Sequence, residues 1–209
     1  MLEAVLWLLA SYFVGAIPTS YLVGRWARGI DLREHGSRNL GATNLYRTLG
    51  WRFAVPVGLF DVAKGAAPVL LFGPRVPEVP YFAIWCGLAA VLGHVFSVFV
   101  RFRGGKGVAT AAGMVIALAP LAFPVVLVIW ALVVWLTGYV SLGSIVAAAV
   151  FPLADWWLHP AHRAPITLVI DLGLAGFIIW KHRANIQRLF AGTENRFGRR
   201  GSKPPASAA

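Results

Sequence analysis

The sequence predicts an all-α polytopic membrane protein of about seven transmembrane helices, and three observations carry that prediction. Of the 209 residues, 58% are hydrophobic and 13% charged, against roughly 25% charged in an ordinary soluble domain. Apolar runs of about 20 residues, enough to cross a hydrocarbon core ~30 Å thick, recur without the polar alternation of a soluble core. The basic residues gather between those runs, as cytoplasmic loops of membrane proteins do.

The apolar runs cover approximately 3–24, 53–73, 80–100, 108–137, 140–158 and 166–180. The first begins Met1-Leu2-Glu3 with no positive charge and continues to Arg25, so it reads as a retained span and not a cleaved leader. The fourth is too long for one crossing and contains Pro120 and Pro124. Charge decides how it is divided. The segments 25–52, 101–107 and 181 onward hold 16 of the 19 basic residues. All three are cytoplasmic only if 108–137 makes two helices that turn near Ala119–Phe123. The expected topology is therefore seven spans, with the N-terminus outside and the C-terminus in the cytoplasm. One domain is expected over 1–198, followed by a disordered tail at 199–209 whose Gly, Ser, Pro and Ala composition cannot build a core.

Composition also excludes. A single cysteine, Cys86, cannot form an internal disulfide or a cysteine-cluster metal site. The net charge of +11 suits a membrane surface and anionic substrates, because it is placed between apolar runs; no nucleic-acid partner is expected. The eight acidic residues are scattered, so no paired-carboxylate magnesium site and no metal is expected.

Polar chemistry concentrates in few places. Residues 36–47 contain two glycines, two asparagines, Ser37, Thr43 and two arginines. Such a loop can turn backbone N–H groups toward an anion while arginines clamp it. An ordinary polar loop with positive-inside arginines has the same composition. In Arg101-Phe-Arg-Gly-Gly-Lys-Gly107, the glycines allow close backbone approach to a phosphate and Lys106 adds a point charge. It is not a Walker loop, since Val100 and Gly107 stand where that motif needs Gly and Ser or Thr. His94 lies at the cytoplasmic end of the third span, either as a packing residue or as a proton-exchanging one. Asp61 and Lys64 share a helix face and read first as a mutual ion pair. Ser141 and Ser144 read first as packing serines. His182 and Asn185 follow the last span.

These segments together resemble the bacterial acyl-phosphate:glycerol-3-phosphate acyltransferases. Gly36-Ser-Arg-Asn-Leu-Gly-Ala-Thr-Asn44 with Arg47 is similar to their first signature. Gly93-His-Val-Phe-Ser-Val-Phe99 with Gly104-Gly-Lys-Gly-Val-Ala-Thr110 is similar to the second, and His182-Arg-Ala-Asn-Ile-Gln-Arg188 with Gly192-Thr-Glu194 to the third. Asp61-Val-Ala-Lys-Gly65 and Tyr139-Val-Ser-Leu-Gly-Ser144 also match, in order, across nearly the whole chain. Two positions depart from the family: Arg38 stands where glycine is usual, and Ser97 where proline is common. The HxxxxD signature of the soluble-type glycerolipid acyltransferases is absent.

The resemblance implies a seven-helix enzyme of a bacterial inner membrane, with its active site facing the cytoplasm. It would move a long-chain acyl group from acyl phosphate to the 1-hydroxyl of glycerol 3-phosphate, giving lysophosphatidic acid and phosphate. The mixed anhydride is already activated, so no cofactor is implied. On this reading His94 orients or deprotonates the hydroxyl, and Ser37, Asn39 and Arg47 complete the catalytic group. Gly41, Thr43, Asn44, Gly104, Gly105, Lys106 and Gly107 bind phosphate, with Ser141, Ser144, His182 and Asn185 at the acyl-phosphate site. A donor phosphate oxygen could serve as base instead of His94. Ser37 as an acylated nucleophile fits less well, since no base is adjacent in sequence. The expected partners are the two substrates, membrane lipids and the enzyme that makes acyl phosphate. The rival class, a transporter of phosphorylated metabolites, would place polar groups near the midplane, whereas here they gather at one face.

Overall fold

The computed structural model describes residues 1–197, and among these every regular element is helical. The expected tail at 199–209 lies outside the described residues. Helix α1 (Leu2–Ala16) stops because Pro18 forces Ile17 out of the helical region, to ψ 113°. Helix α2 (Thr19–Arg28) resumes directly and ends on Gly29 in the left-handed conformation, φ 68°. The short α3 (Ala42–Leu49) precedes α4 (Trp51–Ala67). Pro68 has no N–H to donate, and the helix widens there into a π turn over Pro68–Phe72 before a 3₁₀ turn at Gly73–Arg75. Helix α5 (Phe82–Val95) follows. The apolar run 108–137 breaks into α6 (Val108–Leu118) and α7 (Ala122–Thr137), with Pro120 in the turn. Helices α8 (Val140–Leu158), α9 (Pro165–Lys181) and α10 (Arg183–Phe190) complete the order.

Among the described residues, four spans are long and apolar enough to cross a membrane: Leu2–Arg28, Trp51–Arg75, Phe82–Val100 and Val140–Leu158. The pair α9–α10, bent by 57°, passes the same length and apolarity test when the two are taken together. Helices α6 and α7 are shorter, 11 and 16 residues, and reach only about 17 and 24 Å at ~1.5 Å per residue. The spans carry large apolar side chains outward, among them Leu9, Phe13, Leu59, Leu71, Leu132, Trp135, Leu153 and Val169, as lipid contact requires.

The chain divides into two compact units, Met1–Phe123 and Pro124–Ala209. In the first, helices close on one another through glycine. A Cβ on Gly15 would overlap the Ala90 carbonyl of α5, and one on Gly93 the Tyr12 carbonyl of α1. Gly65 is closed in the same way by the Thr110 carbonyl, and Gly113 by that of Val62, which draws α4 against α6. The residues next to two of these glycines are Lys64 and His94, so the closest helix approaches also gather the polar side chains. Ser97, at the position where proline is common, donates its hydroxyl to the carbonyl of Ala16 at the broken end of α1.

In the second unit α8 packs on α9. Gly143 of α8 lies against the Trp130 carbonyl and the Val134 side chain of α7. The chain after α10 returns to the α7–α8 turn, where the Phe197 N–H meets the Gly138 carbonyl at 2.6 Å.

Candidate active site

The loop before α3 is built around Asn44. Its buried amide nitrogen lies 3.2, 3.0 and 3.0 Å from the carbonyls of Leu32, His35 and Asn39, and its oxygen accepts the Ser37 N–H at 2.8 Å. The reading of Asn44 as a phosphate contact is therefore corrected: its hydrogen-bonding capacity goes to shaping the loop that holds Ser37 and Asn39. Gly36, at φ 57°, passes so close to the Asn44 oxygen that a Cβ would not fit. Arg38 takes the left-handed region at φ 59°, which accounts for glycine as the usual residue there.

Leu32 and Leu40 anchor the loop in an apolar cluster with Leu45, Ala54, Val57 and Val100. At its start Asp31 binds Arg33 at 2.6 Å. The Arg33 hydrogen bonds hold the Asp31 carboxyl down to about 2 despite burial. Gly41, Thr43 and Arg47 follow, at the N-cap, in the first turn and in the last turn of α3.

The glycine loop folds back onto the end of α5. The Gly104 N–H bonds to the Val95 carbonyl and the Gly105 N–H to the His94 carbonyl, both at 3.1 Å. A Cβ on Gly105 would strike the His94 Nε2 and come within 2.9 Å of the Leu40 carbonyl. The loop thus runs between the His94 ring and the backbone of the first signature, where no larger residue fits. Gly107, at φ 83°, then turns the chain into α6, whose N-terminal turn offers N–H groups to an anion. Lys106 is half-buried in this turn.

On the other side of the ring, His94 Nδ1 lies 3.9 Å from Asp61 Oδ1. That same oxygen binds Lys64 Nζ at 2.7 Å and accepts the Thr19 hydroxyl at 3.1 Å. Lys64 also donates to the Ile17 carbonyl at 2.8 Å, a group left open by the break between α1 and α2. The ion pair expected from spacing is present, and it stands beside the histidine. Sequence reasoning did not join the two. The available signal was that three ionisable residues in apolar runs need a common solution.

In the second unit Glu194 is the centre. Ser141 donates to its Oε1 at 2.8 Å, Asn185 to the same oxygen at 2.7 Å, and Arg188 to Oε2 at 2.7 Å. Burial would raise this carboxyl, but the hydrogen bonds from Asn185, Ser141 and Arg188 outweigh it and lower it. Ser144 donates to the Val140 carbonyl at 2.9 Å, and His182 Nδ1 lies 2.8 Å from the Ile178 carbonyl. Glu194 was read from sequence only as part of a motif. Its signal was an acid alone in a basic segment.

The profile of the glycerol-3-phosphate acyltransferase family matches residues 5–192. The chain belongs to that family. A glycerol-3-phosphate acyltransferase of Trichlorobacter lovleyi is 47% identical over 94% of this chain and 99% of its own. Those of Geobacter sulfurreducens and Chlorobaculum parvum are 45% and 44% identical, over 94% and 91% of this chain and 99% and 95% of their own. The crystal structure of PlsY, an integral membrane glycerol 3-phosphate acyltransferase, in its glycerol 3-phosphate form superposes with a TM-score of 0.85. It is 37% identical over 93% of this chain and 96% of the other. Its lysophosphatidic acid form gives 0.82 at 36% identity, over 93% and 95%. This membrane acyltransferase therefore carries its signatures in two places, one around His94 and one around Glu194.

Proposed function

We propose that the chain transfers a fatty acyl group from acyl phosphate to the 1-hydroxyl of glycerol 3-phosphate, at the cytoplasmic face of a bacterial inner membrane. The topology proposed with it is seven spans, N-terminus outside and C-terminus inside, with α6 and α7 as the two short crossings. The observation that carries the reading is the packing of Gly105 on His94 Nε2. It sets an imidazole nitrogen beside a turn of glycine backbone, Lys106 and the start of α6.

In the proposed reaction, the 1-hydroxyl oxygen attacks the acyl carbonyl carbon. The bond from that carbon to the phosphate oxygen then breaks, and inorganic phosphate leaves with the electron pair. A proton on His94 Nδ1, facing Asp61, leaves the Nε2 lone pair toward the glycine loop to receive the hydroxyl proton. The leaving phosphate is the other acceptor. Arg47, Lys106, Ser37 and Asn39, with Gly41, Thr43 and the Gly104–Gly107 backbone, hold the two anions close and stabilise the oxyanion. Ser141, Ser144, His182 and Asn185 belong to the acyl-phosphate site, Ser141 and Asn185 acting by fixing Glu194 and through it Arg188. The acyl chain lies among apolar helices.

The test is to incubate purified protein, reconstituted in lipid, with palmitoyl phosphate and glycerol 3-phosphate. Equal amounts of lysophosphatidic acid and phosphate, lost in His94→Ala and Arg47→Ala, would support the reading. Transport of glycerol 3-phosphate without product would leave the transporter.

A further inference from the structure

The far end of α8 from Ser141 holds a second group of titratable side chains. Asp155 lies 14 positions beyond Ser141 on the same helix, a separation of about 21 Å at ~1.5 Å per residue. Its Oδ1 is 3.0 Å from His159 Nδ1, and its Oδ2 is 3.0 Å from His162 Nδ1. The two imidazoles stack, with centroids 5.0 Å apart and planes 22° from parallel, so both Nδ1 atoms face the one carboxylate. The three donor atoms lie within 4.8 Å of one another. Asp171, from the neighbouring α9, lies beside Asp155.

The turn that carries the histidines is held firmly. The His162 N–H bonds to the His159 carbonyl at 2.8 Å, and Arg163 Nε to the Trp156 carbonyl at 3.0 Å. The Thr167 hydroxyl lies against the carbonyls of His162 and Ala164. The donors are thus positioned before any ligand arrives. Two imidazole nitrogens and a carboxylate oxygen are ligand types that zinc-class ions take at about 2.0–2.2 Å. In tetrahedral geometry such bonds put neighbouring donors roughly 3.3 Å apart, within a few tenths of an ångström of the separations from Asp155. Calcium and magnesium favour all-oxygen sites instead.

We propose that Asp155, His159 and His162 bind one divalent transition-metal ion of the zinc class, with Asp171 as the supporting carboxylate. This proposal departs from the expectation of no metal. That expectation rested on acids scattered along the chain, and packing of α9 on α8 brings two of them together beside two histidines. Along α8 the site lies apart from Ser141, and the ion's place is structural, tying α8 to the turn and to α9.

Full-length protein with its affinity tag removed, stripped with chelator in detergent, tests this. Titration with Co²⁺ should give the visible bands of a tetrahedral N/O site at one ion per chain, and Zn²⁺ should displace them. His159→Ala and His162→Ala should abolish the bands, and Asp171→Asn should weaken binding by about 10–100-fold. Acyl transfer by His162→Ala reports that the variant is folded, since His162 has no part in that reaction. Wild-type protein that binds no stoichiometric Co²⁺ or Zn²⁺, or bands that survive in a folded His162→Ala, would overturn the proposal. The first result would leave Asp155 as a hydrogen-bonded latch. Because the readout is metal binding, its failure is independent of the acyl-transfer test.

Discussion

His94 Nδ1 stands 3.9 Å from Asp61 Oδ1, an oxygen that Lys64 Nζ already holds at 2.7 Å. The distance is too long for a hydrogen bond but short enough for the carboxylate to bias the ring's tautomer and orientation. The three residues come from two helices, and Thr19 and the Ile17 carbonyl of the α1–α2 break complete the arrangement. A buried charge pair that packing alone would explain thus faces the ring proposed to take the hydroxyl proton.

Removing half of this pair should separate structure from catalysis. Asp61→Ala leaves Lys64 buried without its partner, and stability should fall by about 3–5 kcal/mol. The double variant Asp61→Leu, Lys64→Met replaces the pair by apolar side chains and should recover much of that loss. If Asp61 orients His94, the double variant melts near the wild type yet stays well below it in kcat. Full activity in the double variant would reduce Asp61 to a packing role. Melting curves and initial rates in one detergent settle it.

Gly105→Ala should damage the rate through one methyl group. Its Cβ would meet the His94 Nε2 on one side and the Leu40 carbonyl on the other. One must shift by about an ångström, and displacement on that scale can cost roughly 100-fold in rate. The expected result is kcat reduced on that order, with helix content unchanged by circular dichroism. Near-normal kcat would mean that the ring and loop do not work as a unit.

Glu194→Gln tests the second centre. The change keeps the shape but removes the charge that Arg188 binds, and should cost about 1.5–3 kcal/mol. The wild type should show a matching acid sensitivity. The folded carboxyl sits below its ordinary 4.5, so its stabilisation is complete above that value and is lost as pH falls through the lowered one. Unfolding followed from pH 6 downward should therefore show a loss in the wild type that Glu194→Gln lacks. Parallel curves would remove Glu194 from the account.

Arg38→Gly probes a departure from the family. A non-glycine residue at φ 59° carries strain that glycine relieves, partly offset by the freer unfolded chain, for a net gain of about 0.5–1 kcal/mol. A raised KM for glycerol 3-phosphate in the same variant would show that Arg38 contacts the substrate anion. An unchanged KM with higher stability would make it strain alone.

Much of this was legible in the sequence because it is local. Apolar run length located the helices, Pro120 located the break between α6 and α7, and composition marked the loops at 36–47 and 101–107. His94 and the glycine loop were both singled out. Their contact was not, since no periodicity says that residue 105 folds back on residue 94. Asn44 shows the opposite limit. A polar residue in a phosphate-like motif reads as a ligand until its four loop contacts are seen.

The sequence by itself determined the helical membrane class, the break within 108–137, and which segments are candidates for phosphate chemistry. These follow from transfer free energy and backbone propensity, which are properties of each residue and its near neighbours. The tertiary structure alone decided that Asp61 stands beside His94, that Glu194 gathers Ser141, Asn185 and Arg188, and that Asp155 faces His159 and His162. Each pairing spans a gap in sequence that only folding closes. In the first unit the closing depends on glycines such as Gly65 and Gly93, which let one backbone approach another where any side chain would hold it off.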